Sequence, residues 1–457
     1  MSKVVLGSTC VYIHGCAAPP AAALLRIGVE SGRLSMGEER CEPLIRETTI
    51  QVAADRIDIR TSAMNVTPVY FAAIPRRMRF VVGTDFPATA AGLAALTGES
   101  PQLHADAGLR LRSGTAVEGV ERLPYGTELT LRHESEGWVS RVRRDADVLH
   151  VARPVIEEPL AAGLAQIGVL RDAIVDVAAG RCRASVLVSG GVDSGLVTAL
   201  AREVGLEITP FSVGTQWGDE FDNARELTDA LGLELRTVTL TTDDVMAALP
   251  ATIRALGHAE PEVVDIGVAL SAFFEQHRAT DRLLLTGYGS DLLNSGMATG
   301  GGIHPNIQSR ILAAVHRARC SAEFSGSIAR EHGYTLAHPY WNHHVIDVAL
   351  RTSPSAKAAG KREKGHLRMA AETLLPETVA WRQKTAIHHG NGVSANIGQR
   401  IDADTGLSGG RPSMYRAILG ELLAATCAHP GRSVSGSALY ERAVTAVAQR
   451  STNLRRV

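Results

Sequence analysis

Aromatic residues and cysteines are scarce in this sequence, and neither sign of charge dominates. Of its 457 residues, only 4% are aromatic and 6 are cysteines, and the formal net charge is −1. The cysteines are scattered without a CxxC pair, which predicts reduced thiols and no zinc site. A near-neutral chain that lacks a basic patch with interleaved aromatic residues excludes a strong electrostatic attraction to nucleic acid.

Long hydrophobic runs are also absent. None reaches the roughly 18–20 apolar residues that cross a bilayer, and residues 1–6 are followed by mixed polar sequence rather than by a signal-peptide core. Hydrophobic residues still make up 45% of the chain, which is enough for large cores, and the length suits two or three domains. We therefore expect a soluble, cytoplasmic protein that binds neither membranes nor nucleic acid.

The first part of the chain is predicted to be rich in β-structure. Short apolar or alternating runs separated by glycine and proline are typical of strands joined by turns. Strands are predicted at Val4–Leu6, Thr49–Val52, Arg56–Arg60, Val69–Ile74, Phe80–Val82, Thr127–Leu131 and Ala146–Val151, with one helix around Ala88–Leu96. A loose junction at Pro154–Pro159 follows, so we predict one domain over residues 1–158 and a second over residues 159–457.

The second part has a different rhythm. After a helical stretch at Ala161–Ala179, strands alternate with helices, a pattern that predicts a parallel sheet covered by helices. The predicted strands are Ala184–Val188, Ile208–Val213, Glu234–Leu240 and Arg282–Leu285, and the helices between them are Gly195–Glu203, Asp219–Leu231 and Asp243–Leu256. From about residue 305 the pattern is mostly helical, at Ile307–Ala318, Val345–Leu350 and Lys364–Leu375.

A glycine-rich loop follows the first of these strands and leads directly into a helix. It reads Ser189-Gly190-Gly191-Val192-Asp193-Ser194. Glycines let backbone N–H groups point at an anion, the helix N-terminus adds the positive end of its dipole, and the serines add hydroxyl donors. Asp193 can hold a magnesium ion against phosphates. No Walker-type lysine follows, and the loop instead resembles the SGGxDS loop of the ATP-pyrophosphatase group, which includes the asparagine synthetases.

A second loop follows the strand Arg282–Leu285 and reads Thr286-Gly287-Tyr288-Gly289-Ser290-Asp291-Leu292. The carboxyl ends of neighbouring parallel strands meet at one crevice, so Asp291 is predicted to face Asp193 across a bound nucleotide. Two carboxylates there would hold the magnesium ion that neutralises departing pyrophosphate. The sequence thus predicts an ATP and Mg²⁺ site with both aspartates as metal ligands.

The second loop narrows the resemblance to one family within this group. Asparagine synthetases read GEGSDE at this loop, whereas β-lactam synthetases and carbapenam synthetases read GYGxD, as this chain does. The resemblance covers most of residues 160–400 and includes the segments Ala337–Asn342, Lys361–Arg368 and Arg382–Gly390. The departures are Asn342, where the family has aspartate, and His389, where it has glutamate.

The resemblance implies roles for particular side chains. The family's catalytic dyad of tyrosine and glutamate matches Tyr288 and Glu323, and its two lysines match Lys364 and Lys384. A phenol, with an ordinary pKa near ~10, suits an attacking amine better than a carboxylate does, and Lys384 can offset charge on pyrophosphate and on the tetrahedral oxyanion. The nucleotide set implied is Val188, Ser189, Gly190, Gly191, Asp193, Ser194, Val213, Gly287 and Lys364, with the adenine near Val188 and Val213.

The first domain resembles a glutaminase without its nucleophile. Asparagine synthetases expose an N-terminal cysteine, but position 2 here is Ser2, and no NGEIYN-like segment is present to hold glutamine. Segments Thr67–Phe71 and Phe80–Asp85 still resemble the family's degenerate glutaminase sandwich. The expected fold class is therefore α/β: a degenerate Ntn-glutaminase-like β-sandwich (αββα) without the catalytic cysteine, then an adenine-nucleotide α-hydrolase-like parallel-sheet domain with a helical C-terminal part.

A domain without an ammonia source indicates that the attacking nucleophile belongs to the substrate itself. The resemblance therefore implies a ligase that adenylates the carboxylate of a β-amino acid with ATP and Mg²⁺ and closes a β-lactam ring, in antibiotic or toxin biosynthesis. Two alternatives stay open: an intermolecular amide ligase that uses ammonia or an amine, and a catalytically silent partner subunit. Candidate contacts to the substrate are Glu262, Asn294, Ser295 and Met297. A homodimer is compatible with the sequence.

Overall fold

A computed structural model describes most of the second half of the chain and parts of the first. The residues described are 2–6, 9–13, 33–36, 48–52, 56–74, 79–105, 108, 114–134, 137–144, 149, 155–277, 281–294, 306–383, 390–429 and 434–454. None of the helices in these ranges is long and apolar enough to cross a membrane.

Strands and helices alternate in the central part of the chain, and helices prevail after it. The strands are β1 (Ser2–Leu6), β2 (Thr9–Ile13), β3 (Arg33–Met36), β4 (Thr48–Val52), β5 (Arg56–Arg60), β6 (Tyr70–Ile74), β7 (Arg79–Gly83), β8 (Glu121–Arg122), β9 (Thr127–Glu134), β10 (Gly137–Arg144), β11 (Arg183–Leu187), β12 (Glu207–Thr215), β13 (Arg236–Leu240), β14 (Leu283–Thr286) and β15 (Thr335–Ala337). The helices are α1 (Phe86–Thr97), α2 (Pro159–Ala178), α3 (Val192–Glu203), α4 (Phe221–Ala230), α5 (Thr242–Leu256), α6 (Pro261–Gln276), α7 (Ser290–Asn294), α8 (Ile307–Ser321), α9 (Ser327–Glu331), α10 (His343–Arg351), α11 (Pro354–Lys357), α12 (Gly365–Ala371), α13 (Glu377–Ala380), α14 (Val393–Thr405), α15 (Arg411–Ala428) and α16 (Gly436–Leu454).

The N-terminal part contains two antiparallel sheets. One has the strand order β1-β2-β7-β6-β8, and the other has the order β10-β9-β5-β4-β3. Along β5, Ile57 and Ile59 are buried while their neighbours are more open, as in a strand with one face in a core. The predicted strand at Ala146–Val151 falls largely outside the described residues, and the other predicted strands of this part are present. The glutaminase-like sandwich itself stays a prediction.

The second part is built on a five-stranded parallel sheet in the order β13-β12-β11-β14-β15. Side chains of a strand alternate between the two faces of a sheet. In β14, Leu283 and Leu285 accordingly pack into one hydrophobic core, and Leu284 packs into a second one. Because both of its faces are covered, β14 reads as a continuous apolar run from Leu283 to Leu285. The chain is thus a mixed α/β protein, and the predicted parallel sheet and helical C-terminal part are confirmed.

Three helices differ from the prediction near the site. α3 begins at Val192, earlier than the predicted Gly195, because Gly191 serves as its N-cap and the loop supplies its first turn. α12 begins at Gly365 because Lys364 has a left-handed backbone with φ 61°. α6 is not predicted at all, although Pro261 in its first turn is a signal for its start.

Candidate active site

The two predicted loops lie side by side at the carboxyl ends of adjacent strands. The first loop follows β11, the second follows β14, and these two strands are hydrogen-bonded neighbours. Gly287 comes so close to the first loop that a Cβ atom added to it would stand 2.6 Å from the Ser194 nitrogen. Residues of both loops line one cavity of about 180 Å³. The sheet therefore forms the crevice that open parallel sheets use for ligands.

The first loop is shaped to receive an anion. Gly190 has φ +73°, and a Cβ atom there would collide with the Asn223 backbone, so only glycine fits. Gly191 caps α3 without a side-chain hydrogen bond, so the N–H groups of the first turn can bind a ligand. The hydroxyls of Ser189 and Ser194 lie 3.4 Å apart at the same place. These groups together fit the phosphates of ATP.

Gly287→Ala is expected to weaken nucleotide binding by about 5- to 150-fold, because overpacking against backbone costs roughly 1–3 kcal/mol. The added methyl would meet backbone atoms of Asp193 and Ser194, which cannot move without displacing the loop. Calorimetric titration with α,β-methylene-ATP measures the effect. Gly168→Ala is a matched control, since nothing lies within 4 Å of a Cβ atom at that position in α2. Equal affinity in both variants would contradict a nucleotide site at this contact.

Two carboxylates and a buried lysine meet between the loops. Lys364 Nζ lies 2.6 Å from Asp193 Oδ2 and 2.5 Å from Asp291 Oδ1. Ser290 Oγ donates to Asp193 Oδ1 at 2.7 Å. The lysine side chain is fully buried, whereas that of Asp291 is 52% exposed. The aspartates predicted as metal ligands thus converge on one point beside the first loop.

This donor set fits a magnesium ion. Carboxylate oxygens are protein ligands that Mg²⁺ prefers, and phosphates and water commonly supply its remaining ligands. In the part of the chain that the structure describes, no three His, Cys, Asp or Glu side chains gather as a metal site, so Asp193 and Asp291 would supply the protein's share. Lys364, which the resemblance assigns to the nucleotide, lies between these carboxylates and offsets their mutual repulsion.

Tyr288 and Glu323 are hydrogen-bonded and line the same cavity. The Tyr288 hydroxyl donates to Glu323 Oε2 at 2.9 Å. Burial, followed by the nearby Glu323 carboxylate, raises the pKa of Tyr288 well above its usual range. Burial also raises the pKa of Glu323, against the opposing effect of the tyrosine hydrogen bond. A phenol in this position can pass its own proton to the carboxylate as it accepts another.

Packing fixes the orientation of the phenol ring. It stacks on Phe324 with ring centroids 4.6 Å apart, and Phe324 stacks on Trp341 at 3.9 Å. The Tyr288 N–H donates to Thr286 Oγ1 at 3.1 Å, and this hydroxyl lies 2.7 Å from His338 Nδ1. Ring stacking and loop hydrogen bonds therefore hold the Tyr288 hydroxyl in position to donate its hydrogen bond to Glu323.

Glu323 is placed by the end of α8. The last carbonyl groups of a helix have no partner within it, and here three side chains from elsewhere bind the carbonyls of residues 319–321. Asn65 and Arg122 bind the first two, and His258 Nε2 lies 2.9 Å from the third. Since Asn65 and Arg122 belong to the first 158 residues, the N-terminal part of the chain helps to position Glu323.

Val188 and Val213, where the sequence places the adenine, line both the main cavity and a small second cavity beside Ser189 at the ends of β11 and β12. Lys384 lies outside the described residues, so its role stays a prediction.

The substrate contacts considered from the sequence stay predictions. Glu262 is exposed, lies 3.8 Å from Arg317 and does not line the cavity. Besides burial, its charge helps to raise the pKa of Tyr288 and the pKa of Glu323. Asn294 Nδ2 donates to Ser290 Oγ at 3.0 Å, so it supports the hydroxyl that binds Asp193. Ser295 and Met297 fall outside the described residues.

The sequence gives no sign of the contacts that Arg382, His338 and helix α6 make in the site. Arg382 Nη1 donates to the Gly190 carbonyl at 2.6 Å and to the Asn223 carbonyl at 2.9 Å, and so braces the first loop. His338 lines the cavity, and α6 forms much of its apolar surface. Both side chains stand in segments that carry the family resemblance, but their contacts depend on residues far away in the sequence.

Comparisons with known proteins agree with this geometry. The family model of asparagine synthase matches residues 168–309 and 306–449, more than half of the chain, and this range includes both loops, Glu323 and Lys364. The carboxyethyl-arginine beta-lactam-synthase of Streptomyces clavuligerus is 26% identical over 373 residues, which cover 79% of this chain and 68% of that protein. Asparagine synthetase B (glutamine-hydrolyzing) of Escherichia coli strain K12 is 26% identical over 234 residues, which cover 46% of this chain and 41% of that protein. The chain therefore belongs to the asparagine synthase family.

Proposed function

We propose that this chain is an ATP- and Mg²⁺-dependent ligase that closes a β-lactam ring in a β-amino acid. The observation that carries the proposal is the hydrogen-bonded pair Tyr288 and Glu323 in the same cavity as Asp193 and Asp291. A base for an amine thus stands beside a site suited to adenylate a carboxylate. The similarity to a beta-lactam-synthase over 79% of the chain supports the same reaction class.

The first step activates the carboxylate. An oxygen of the substrate's carboxylate bonds to the α-phosphorus of ATP while the bond from that phosphorus to pyrophosphate breaks, which gives an acyl-adenylate. The N-terminus of α3 and the hydroxyls of Ser189 and Ser194 would hold the phosphates. A magnesium ion on Asp193 and Asp291 would neutralise charge on the leaving pyrophosphate.

The second step closes the ring. The substrate's own nitrogen bonds to the acyl carbon, and the bond from that carbon to the AMP oxygen breaks. The nitrogen loses one proton, which Tyr288 accepts as its own proton passes to Glu323, because burial disfavours a free phenolate. Lys384 is proposed to offset the negative charge on the tetrahedral oxyanion. The enclosed cavity holds the reacting ends together and limits hydrolysis.

The second candidate is an intermolecular amide ligase, favoured by the 26% identity to asparagine synthetase B. It would need ammonia or another amine to release AMP. The sequence has no NGEIYN-like segment to hold glutamine, which favours free ammonia or another amine as the nucleophile of such a ligase. The two functions differ in whether the nucleophile belongs to the substrate.

The proposed function predicts AMP and pyrophosphate release from Mg-ATP and a suitable β-amino acid without any added amine. A panel of N-substituted β-alanines, followed by mass spectrometry of the products, tests it. The expected product is lighter than its substrate by one water. AMP release that begins only when ammonia is added would replace the proposal with the intermolecular ligase. No exchange of labelled pyrophosphate into ATP with any acid would indicate a silent subunit.

A further inference from the structure

The residues that line the active-site cavity fall into a polar set and an apolar set. The polar set, which includes Ser189, Asp193, Tyr288, Asp291 and Glu323, is engaged by the phosphates, the metal and the reacting amine in the proposed function. Within the apolar set, Val188 and Val213 lie where the sequence places the adenine, and the rest has no such task. From that rest we define the apolar wall as Val263, Ile266, Leu270 and Phe273 of α6, Ile328 of α9 and Leu336 of β15.

The wall is a continuous helical stripe rather than a scatter of surface residues. Val263, Ile266, Leu270 and Phe273 follow the three- and four-residue spacing that puts side chains on one face of a helix. α6 has three acids. Asp265 is bound elsewhere, since its oxygens lie 2.6 Å from Arg411 Nη1 and 2.6 Å from the Tyr415 hydroxyl. Glu262 and Glu275 are exposed and do not line the cavity. α6 therefore presents its apolar face to the cavity and directs its buried carboxylate into the protein.

The apolar wall itself carries no charged side chain, among the lining residues that the structure describes. The carboxylates of the cavity, Asp193, Asp291 and Glu323, are already engaged in the proposed function. His338 also lines the cavity, next to Tyr288 with ring centroids 5.7 Å apart. Burial lowers the pKa of His338 to about 3, so the imidazole is neutral at physiological pH. The Thr286 hydroxyl pairs with Nδ1 at 2.7 Å. A guanidinium or ammonium group placed against the wall would lose its hydration without gaining a carboxylate partner.

We propose that the substrate of this chain is a β-amino acid whose non-reacting part is an uncharged, apolar group that packs on α6. The inference rests on the proposed function, because that function assigns the polar residues to the nucleotide and the reacting atoms. What remains for the rest of the substrate is the apolar wall, where burial of apolar surface is favourable and burial of an unpaired charge is costly.

Two compounds of equal size test this assignment. One is β-alanine with a guanidinobutyl group on its nitrogen, and the other is β-alanine with the isosteric methylheptyl group. With Mg-ATP, the alkyl compound is expected to give a kcat/KM for AMP release at least about tenfold higher than the guanidino compound. Titration of both compounds into the protein with α,β-methylene-ATP gives their affinities without turnover, and the same order is expected.

A charge introduced into the wall should reverse the preference. Ile266→Asp is expected to lower kcat/KM for the alkyl compound and raise it for the guanidino compound, because a partner for the cation is then present. Gln276→Asp is the matched control, since it adds the same charge at an exposed position of the same helix. Melting temperatures of both variants separate this effect from loss of folding.

The outcomes distinguish the apolar nature of the substrate from the ring-closing function. Equal or better use of the guanidino compound by the unaltered protein would overturn the apolar assignment while leaving the ring-closing function intact. Failure of both compounds to yield AMP would count against the proposed function. The affinities measured with α,β-methylene-ATP would then still decide which substituent the wall accepts.

Discussion

Tyr288→Phe is expected to lower the rate of ring closure by about 10²–10⁴-fold, the usual contribution of a positioned acid or base. The variant loses the hydroxyl that donates to Glu323 Oε2 at 2.9 Å but keeps the ring that stacks on Phe324. Exchange of labelled pyrophosphate into ATP should persist, because adenylation uses the loop at Ser189–Ser194 instead. Product formation by mass spectrometry and pyrophosphate exchange, measured on the same sample, separate the two steps.

Tyr440→Phe is the matched control for this variant. Its hydroxyl also donates to a carboxylate, that of Asp404 at 2.7 Å, but neither residue lines the cavity. The control should therefore keep full ring-closing activity and show any loss of stability that comes from deleting a hydroxyl of this kind. Loss of pyrophosphate exchange together with ring closure in Tyr288→Phe would mean that the phenol supports nucleotide binding rather than proton transfer.

The same pair sets the pH dependence of ring closure. Glu323 must be ionised to receive the proton from Tyr288, and burial raises its pKa above that of an ordinary glutamate. Activity is therefore expected to fall as the pH drops through this raised pKa, at a higher pH than an exposed glutamate would give. Glu323→Gln removes the group that titrates, so the acid limb of the profile should disappear with most of the activity.

The loops of the site could be predicted because their chemistry is local. A strand followed by two glycines predicts a tight turn from backbone sterics, and Gly190 has the left-handed φ that such a turn requires. The assignment of this turn to the phosphates of ATP rests on the resemblance of the whole loop, Ser189–Ser194. The pairing of Tyr288 with Glu323 came from resemblance, not from local rules. These residues are 35 positions apart in the chain, and only the tertiary structure brings them together.

The contacts that hold the site could not be predicted from the sequence. The resemblance assigns Lys364 to the nucleotide, but its place between Asp193 and Asp291 depends on a left-handed backbone at a residue that is not glycine. The bonds from Asn65 and Arg122 to the end of α8 span the two halves of the chain. Such contacts are decided by the packing of whole elements, which periodicity does not encode.

Asp193→Asn is expected to reduce pyrophosphate exchange by at least about a hundredfold, because metal stabilisation of phosphate charge contributes several kcal/mol to such reactions. Asp193 would supply a carboxylate ligand to the ion, and an amide is a weaker ligand for Mg²⁺. The Mg²⁺ concentration that gives half-maximal exchange should rise as well. Measuring exchange as a function of Mg²⁺ concentration tests both effects.

The melting temperature of Asp193→Asn distinguishes loss of a metal ligand from simple unfolding. Breaking a buried ion pair costs about 3–5 kcal/mol when it leaves a charge alone, but Lys364 keeps Asp291 at 2.5 Å in the variant, so a smaller loss is expected. Asp281→Asn is the matched control: Asp281 is buried at the opposite end of β14, with Arg183 at 3.2 Å and Thr209 at 3.1 Å. If the melting temperature falls as in the control while pyrophosphate exchange stays complete, Asp193 is not a metal ligand and has only a structural role.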